Sequence, residues 1–344
     1  MNQQLPFQAS GASLSREVKA FARQELGFDL VGITSAEPFA QAELDLVRWL
    51  EAGHNGEMAW LNAARARLAC RPSELLPGAQ SLIVVGESYR GNERSRGIAR
   101  YAVGPDYHDS MKPRLRRLAC WLTERQPGRT RVFVDDGPLV ERDAAIRAGL
   151  GFRGKNTNVL TAIGSFVFLG ALLTDIPLEF DEPLTKNCGS CRLCLDACPT
   201  GALDAPYHLA AERCIAYLTI EHRGPISSEL RPLMGEWVFG CDVCQDVCPY
   251  NASSRAQPRD TDLTELLALD DDGFRERFRG TPIKRAKRRG LARNTAIALG
   301  NAGAGEQALH NAAQADPEPL VREAAEWAVQ RVAAAQQVVG DDGA

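Results

Sequence analysis

The chain has 344 residues, of which 44% are hydrophobic and 24% charged, and a formal net charge of −4. That length exceeds one ordinary hydrophobic core and sets an expectation of two or three domains. The acidic balance excludes a general polycation, so any contact with nucleic acid needs a local basic patch.

In chain order, residues Met1 to Leu14 are polar and lack the charged start and apolar core of a secretory signal. No apolar run approaches the ~20 residues that span a bilayer. A cytoplasmic protein without membrane attachment is expected. Leu14, Val18, Phe21, Ala22 and Leu26 recur at helical spacing and predict a helix over 14–26. Leu30 to Ile33 follows Gly27 as a short strand, and 39–52 returns to helix. Leu82-Ile-Val-Val85, entered through Pro77-Gly78, is a buried strand. Residues 109–124 form a helix with Cys120 on its apolar face. Cys120 and Cys70 are both expected to be buried, as small hydrophobes. Arg131 to Val134 is a strand, Leu139 to Ala148 a helix, and Ser165 to Leu173 a long apolar strand. Residues 1–180 thus alternate helix and strand around a sheet.

The densest polar constellation of this region is Arg100-Tyr-Ala-Val-Gly-Pro-Asp-Tyr-His108, Asp135-Asp-Gly-Pro138 and Gly149-Leu-Gly-Phe-Arg-Gly-Lys-Asn-Thr157. Asp135 stands where a strand ends and a helix approaches, and ligands of α/β sheets bind beyond such ends. A partly desolvated carboxyl there can serve as a general acid. An aspartate before Gly-Pro is equally a helix cap, with Pro138 in the first turn. His108 is a ligand, an acid or a satisfied histidine, and Lys155 is a phosphate contact or a solvated loop lysine.

Eight of the ten cysteines lie between residues 188 and 248. Cys188, Cys191, Cys194 and Cys198-Pro199 have the C-x2-C-x2-C-x3-C-P spacing of bacterial ferredoxins. Cys214, Cys241, Cys244 and Cys248-Pro249 keep the ending of that run and move its first member upstream. Two-residue gaps aim successive thiolates at corners of one cube, and the three-residue gap with proline turns the fourth onto the other cluster. Cys188, Cys191, Cys194 and Cys248 are therefore expected on one 4Fe-4S cluster, and Cys198, Cys214, Cys241 and Cys244 on a second. Zinc sites lack the x3-C-P ending.

Beyond residue 260, Leu263, Leu266, Leu267 and Leu269 precede the stretch Lys284 to Arg293, which carries six basic residues and no acid. Alanine-rich helices follow, one over Leu291 to Leu299 and one over Glu323 to Val332 after Asp316-Pro-Glu-Pro, in the manner of a HEAT repeat. The segment after Gln336 is expected to fray.

Asp106-Tyr-His108, Val134-Asp-Asp-Gly-Pro-Leu-Val-Glu-Arg142, the Gly149 to Asn156 block, Tyr217-Leu-Thr-Ile-Glu-His-Arg-Gly224 and Gly240 to Pro249, taken with the two cysteine runs, resemble the epoxyqueuosine reductase family. Asp136 departs from the small or hydroxyl residue usual there and Tyr250 from the common tryptophan; alignment of the block favours Asp135 as the acid. The resemblance implies an α+β fold of α/β-like character: a nitroreductase-like cobalamin-binding catalytic core over 1–180, an inserted ferredoxin-like domain with two clusters over 181–255, and tRNA-facing HEAT-like repeats over 256–344. It implies reduction of the epoxide of epoxyqueuosine to queuosine at the tRNA wobble position, with Asp135 as proton donor. Cobalamin contacts are implied at Tyr101, Tyr107, His108, Asp135, Lys155 and Asn156. Asp242 and Gln245, between cluster ligands, either face the corrin or bond locally. Cobalamin enzymes that supply a lower histidine use Asp-x-His-x-x-Gly. Here Asp106-x-His108 is followed by Asp109, Ser110 and Met111, so no protein histidine below cobalt is expected. The tRNA substrate turns the basic stretch into an expected contact through Lys284, Arg285, Lys287, Arg288, Arg289 and Arg293, with charge reversal at Arg288 and Arg289 weakening binding. A monomer fed by a low-potential flavodoxin or ferredoxin completes the expectation. Two alternatives stand beside it: a cobalamin and iron-sulfur reductase of small organic molecules, and an electron-transfer module with no substrate site of its own.

Overall fold

The structure, a computed structural model, describes residues 11–92, 95–254 and 260–341; the expectation for the first ten residues lies outside them. The chain divides into two compact units rather than three consecutive ones. One comprises Met1–Ala52, Trp60–Tyr89 and Tyr107–Ser190, the other Gly53–Ala59, Arg90–Asp106 and Cys191–Ala344.

The first unit holds α1 (Gly11–Gln24), β1 (Leu30–Ser35), α2 (Ala40–Glu51), α3 (Ala63–Ala69), α4 (Pro72–Leu75), β2 (Ser81–Ser88), α5 (Tyr107–Arg125), β3 (Thr130–Phe133), α6 (Glu141–Arg147), β4 (Gly151–Arg153), β5 (Val159–Thr161) and β6 (Val167–Thr174). Four strands form one sheet in the order β1-β2-β6-β3, and β4 pairs with β5 as a separate ribbon. Every pairing in the sheet is antiparallel, with Ile33 opposite Ile83, Ile83 opposite Leu172 and Phe133 opposite Ala171. This corrects the α/β-like expectation. Helices do separate the strands along the chain, but the sheet is not parallel and has no parallel-strand switch point at which to seat a ligand.

The unbroken apolar run of β2 follows from cover on both faces. Successive side chains of a strand point to opposite sides. Ile83 and Val85 join Val18, Met111, Leu115 and Leu118 in one core; Leu82 and Val84 join Cys70, Phe133, Leu139 and Ala144 in the other. Cys70 is fully buried as expected. Cys120 is exposed, because the apolar stripe of α5 runs through Met111, Leu115, Leu118 and Leu122 and leaves it on the solvent side.

The second unit holds α7 (Leu193–Asp196), α8 (Ile215–Ile220), α9 (Val243–Asp246), α10 (Leu263–Ala268), α11 (Asp271–Arg277), α12 (Lys287–Ala302), α13 (Glu306–Ala315) and α14 (Pro319–Asp341). α12 packs on α10 and α14, and α14 on α13. The sequence expectation lacked α13, and α14 continues as helix through the segment expected to fray after Gln336. Residues 290–300 of α12 are all buried. No helix among the described residues is long and apolar enough to cross a membrane.

Candidate functional site

In the first unit the site begins where β3 stops. Val134 is fully buried, and the next residue, Asp135, turns the chain with φ 53°. A non-glycine residue enters that left-handed region at a cost of about 1–2 kcal/mol, aspartate more readily than most. Asp135 Oδ2 accepts a hydrogen bond from the Tyr107 hydroxyl at 2.7 Å, and its backbone N–H donates to Glu141 Oε1 at 2.7 Å. Tyr107 opens α5. Its ring stacks 4.2 Å from Phe168 of β6 and 4.2 Å from the ring of His108. A phenol held between two rings aims its hydroxyl one way, so the Asp135 carboxyl has a fixed partner.

Asp136 is a different kind of group. Burial acts to raise its carboxyl, but the Lys112 ammonium bonded to it holds it below the ordinary carboxylate range. It is ionised at neutral pH and has no proton to give. α6 starts only at Glu141, and its N-cap residue Val140 makes no side-chain cap bond. Neither aspartate caps this helix, so the capping alternative falls away. Burial first, and then the charge of Asp135, push the Glu141 carboxyl up to about 8.

The other expected contacts vary in what they do. Lys155 Nζ donates to the Gly189 carbonyl at 2.7 Å. Asn156 is 4% exposed and its Oδ1 accepts the Asn158 N–H at 3.2 Å, so it shapes its own turn. In the second unit the Tyr101 ring lies 6.1 Å from that of Phe239. Asp242, also 4% exposed, accepts the Arg100 backbone N–H at 2.7 Å. The buried Arg100 side chain reaches Asp246 at 3.9 Å and the Arg90 carbonyl at 3.1 Å. Asp242 is thus engaged inside the protein. Asn251 Nδ2 donates to the Gln245 carbonyl at 2.9 Å.

Cys194 and Cys244 sit on α7 and α9, two short helical turns that pack together. Cys241 feels the charges of Cys244 and Cys214, and Cys244 those of Cys214, Cys194 and Cys198. Thiols remote in sequence therefore converge. Burial pushes both thiols up, a penalty removed when a metal replaces the proton. Among the described residues no three His, Cys, Asp or Glu stand as ligands of a single ion.

The basic stretch needs correcting. Arg293 is 1% and Arg288 8% exposed. Arg288 makes a two-pronged ion pair with Asp316 and donates from Nε to the Leu269 carbonyl at 2.9 Å. Arg293 donates to the carbonyls of Leu218, His222 and Gly224 at 2.6, 3.0 and 2.6 Å. Neither is available to a polyanion. Lys284, Arg285 and Lys287 are exposed and Arg289 partly so. Lys284 pairs with Asp106 at 2.9 Å and Arg285 with Glu221 at 2.7 Å. The sequence reading also passes over Lys112, Glu141 and Asn294. The signal for the last was present: Arg293-Asn-Thr295 is a polar triplet inside an apolar helical run.

A family model described as "Epoxyqueuosine reductase QueG, DUF1730" matches residues 70–136, and one described as "4Fe-4S double cluster binding domain" matches residues 187–251. An epoxyqueuosine reductase of Pseudomonas aeruginosa is 42% identical, over 93% of this chain and 95% of its own. One of Escherichia coli is 40% identical, over 92% and 89%. A crystal structure of epoxyqueuosine reductase with an epoxyqueuosine-modified tRNA-Tyr stem loop superposes with TM-score 0.83 and 33% identity, over 93% of this chain and 90% of that one. The Bacillus subtilis epoxyqueuosine reductase, seen with its catalytic aspartate loop swung out of the active site, superposes with TM-score 0.83 and 32% identity, over the same shares. With so much of each chain covered and the double-cluster domain in place, the chain belongs to the epoxyqueuosine reductase family.

Proposed function

We propose that this chain reduces the epoxide of epoxyqueuosine to the cyclopentene of queuosine at the wobble position of tRNA, drawing on two 4Fe-4S clusters and cobalamin, with Asp135 as proton donor. The observation that carries the reading is the near-full-length relation, at about 40% identity, to reductases of that name.

Converting an epoxide to an alkene consumes two electrons and two protons and releases the oxygen as water. As the carbon–oxygen bond opens, the oxygen gathers negative charge and needs a proton. Asp135 is suited to supply it, since the Tyr107 hydroxyl holds its carboxyl at a left-handed turn directly after β3. Asp136, held ionised by Lys112, is excluded as the acid and balances a local cation instead. Bound cobalamin would supply low-valent cobalt, a reductant strong enough for a strained carbon, charged one electron at a time from the clusters. The residues present suit such a group. Tyr107 and His108 offer a stacked, partly exposed aromatic pair, with Lys155 and Asn156 of the same unit as further contacts. We assign Cys188, Cys191, Cys194 and Cys248 to one cluster and Cys198, Cys214, Cys241 and Cys244 to the other. The nitroreductase-like core over 1–180, the cluster domain over 181–255 and the HEAT-like, tRNA-facing repeats over 256–344 remain our functional division, in a cytoplasmic monomer served by a flavodoxin or ferredoxin.

Two measurements test this. Reconstituted protein is expected to hold corrinoid cobalt alongside its iron, and tRNA from a deletion strain to accumulate epoxyqueuosine. Iron without cobalt would favour the electron-transfer module, and unmodified queuosine levels in the deletion strain would remove the tRNA activity.

A further inference from the structure

The turn from β3 to α6 carries a carboxyl to which the proposed reaction assigns no role. Glu141 is the first residue of α6, where an acidic side chain commonly serves its own helix end. Here its Oε1 instead accepts the backbone N–H of Asp135, six residues back, at 2.7 Å. That N–H belongs to a residue at φ 53°, one of four non-glycine residues with positive φ among those described.

We propose that Glu141 is a positioning residue: its carboxyl oxygen holds the Asp135 backbone in the left-handed conformation from which the Asp135 carboxyl meets Tyr107 and the substrate oxygen. The inference rests on Asp135 being the proton donor and adds the means by which it is kept in place.

Three features support it. First, the far end of the turn is already seated without help. A Cβ on Gly137 would fall 2.4 Å from Phe133 Cδ1, so the backbone there lies directly against the Phe133 ring. Second, the two bonds to Asp135 divide the work: Tyr107 holds the carboxyl, and Glu141 holds the strained peptide behind it. A backbone held off its preferred region persists only when the surroundings impose it. Third, burial, followed by the Asp135 charge, pushes Glu141 up to about 8. Near neutral pH it is an uncharged acceptor, and so it grips the N–H without adding a negative charge to the turn. A glutamine carbonyl offers the same acceptor; an aliphatic side chain does not.

The test uses holoenzyme carrying both clusters and cobalamin, with epoxyqueuosine-containing tRNA stem loop. It compares wild type, E141Q, E141L, E141A, D135N and D135N/E141L, and reads kcat together with stem-loop Kd. E141L and E141A are expected to lose about 100-fold in kcat, the scale of a misplaced catalytic group, with Kd changed less than about twofold. E141Q should restore kcat to within about threefold of wild type. In the D135N background, E141L should cost nothing further, since its effect runs through Asp135. Should E141L retain wild-type kcat while D135N is impaired, or impair D135N by its full factor, the positioning role is overturned and the proton-donor reading stands. Full activity in D135N would instead overturn the proton donor itself. E141L keeps the volume of the side chain, and its cluster absorbance and circular dichroism show whether a loss reflects misfolding; a folded E141L enzyme matched by an equally impaired E141Q would also sink the proposal.

Discussion

At Asp135 and Asp136, two identical side chains one residue apart are given different surroundings by their neighbours. A hydroxyl and a strained backbone set up the first; an ammonium pins the second in its charged form. Periodicity and spacing place both at the end of a strand, and only the family resemblance favours Asp135; the neighbours that distinguish them, Lys112 and Tyr107, are distant in sequence and brought in by α5. Glu141 gives this scale its pH signature. Its pKa in the folded protein, about 8, lies above the ordinary carboxylate value near 4.3. The native state therefore binds a proton that the unfolded chain has lost, so the stability contributed is full at low pH and falls as pH rises through 8. The burial and the charges of Asp135 and Asp136 drive that shift, opposed by the Asp135 N–H and by Arg142. E141Q cannot titrate. The thermal midpoint of wild type relative to E141Q should fall steadily from pH 5.5 to 8.5, followed by circular dichroism; parallel curves would contradict it.

Among the elements, α12 shows how a correct motif can be given the wrong face. Lys284 to Arg293 reads as a basic patch when only charge is counted. The residues buried in α12, 290–300 throughout, make it the central helix of its bundle, and two of the six cations serve the interior. Arg293 and Asn294 together satisfy five carbonyls, those of Leu218, His222, Gly224, Thr219 and Val238. The Tyr217–Gly224 block therefore has a structural reason for its composition. Burial pulls the Arg293 guanidinium down to about 10, still charged at neutral pH. Removing either partner of the buried Arg288–Asp316 pair leaves an uncompensated charge and should cost about 3–5 kcal/mol, measured by denaturant unfolding of R288A or D316A. K287E/R289E, by contrast, should weaken tRNA binding and flatten its salt dependence while cluster absorbance stays intact; unchanged affinity would remove this face from the RNA contact. The four strands of the main sheet and the long helices of the first unit were legible from their periodicity, whereas the short β4–β5 ribbon was not. The antiparallel pairing was not, since an apolar strand covered on both faces looks alike in either kind of sheet.

For the whole molecule, the cysteine spacing disclosed the double-cluster domain, but nothing local announces that the chain changes unit after residues 52, 59, 89, 106 and 190. The early excursions are built into the second unit by specific bonds. The N–H groups of Ala99, Arg100 and Glu57 donate to the Phe239 carbonyl at 2.8 Å, Asp242 Oδ2 at 2.7 Å and the Tyr217 hydroxyl at 2.7 Å, and the Val238 N–H to the Gly97 carbonyl at 2.7 Å. A fragment of residues 181–344 keeps all eight cluster cysteines yet lacks every one of these donors and acceptors from 53–59 and 90–106. It should take up less iron on reconstitution than the full chain, and native iron content in that fragment would refute the dependence. The same interleaving has a consequence during translation. Segments 53–59 and 90–106 leave the ribosome long before the cysteine region they join. At roughly 5–20 residues per second, the wait is on the order of ten seconds. The first unit is complete once residue 190 is made, but the second is not, so its two early segments must wait on the nascent chain with backbone unpaired, and synthesis speed sets how long.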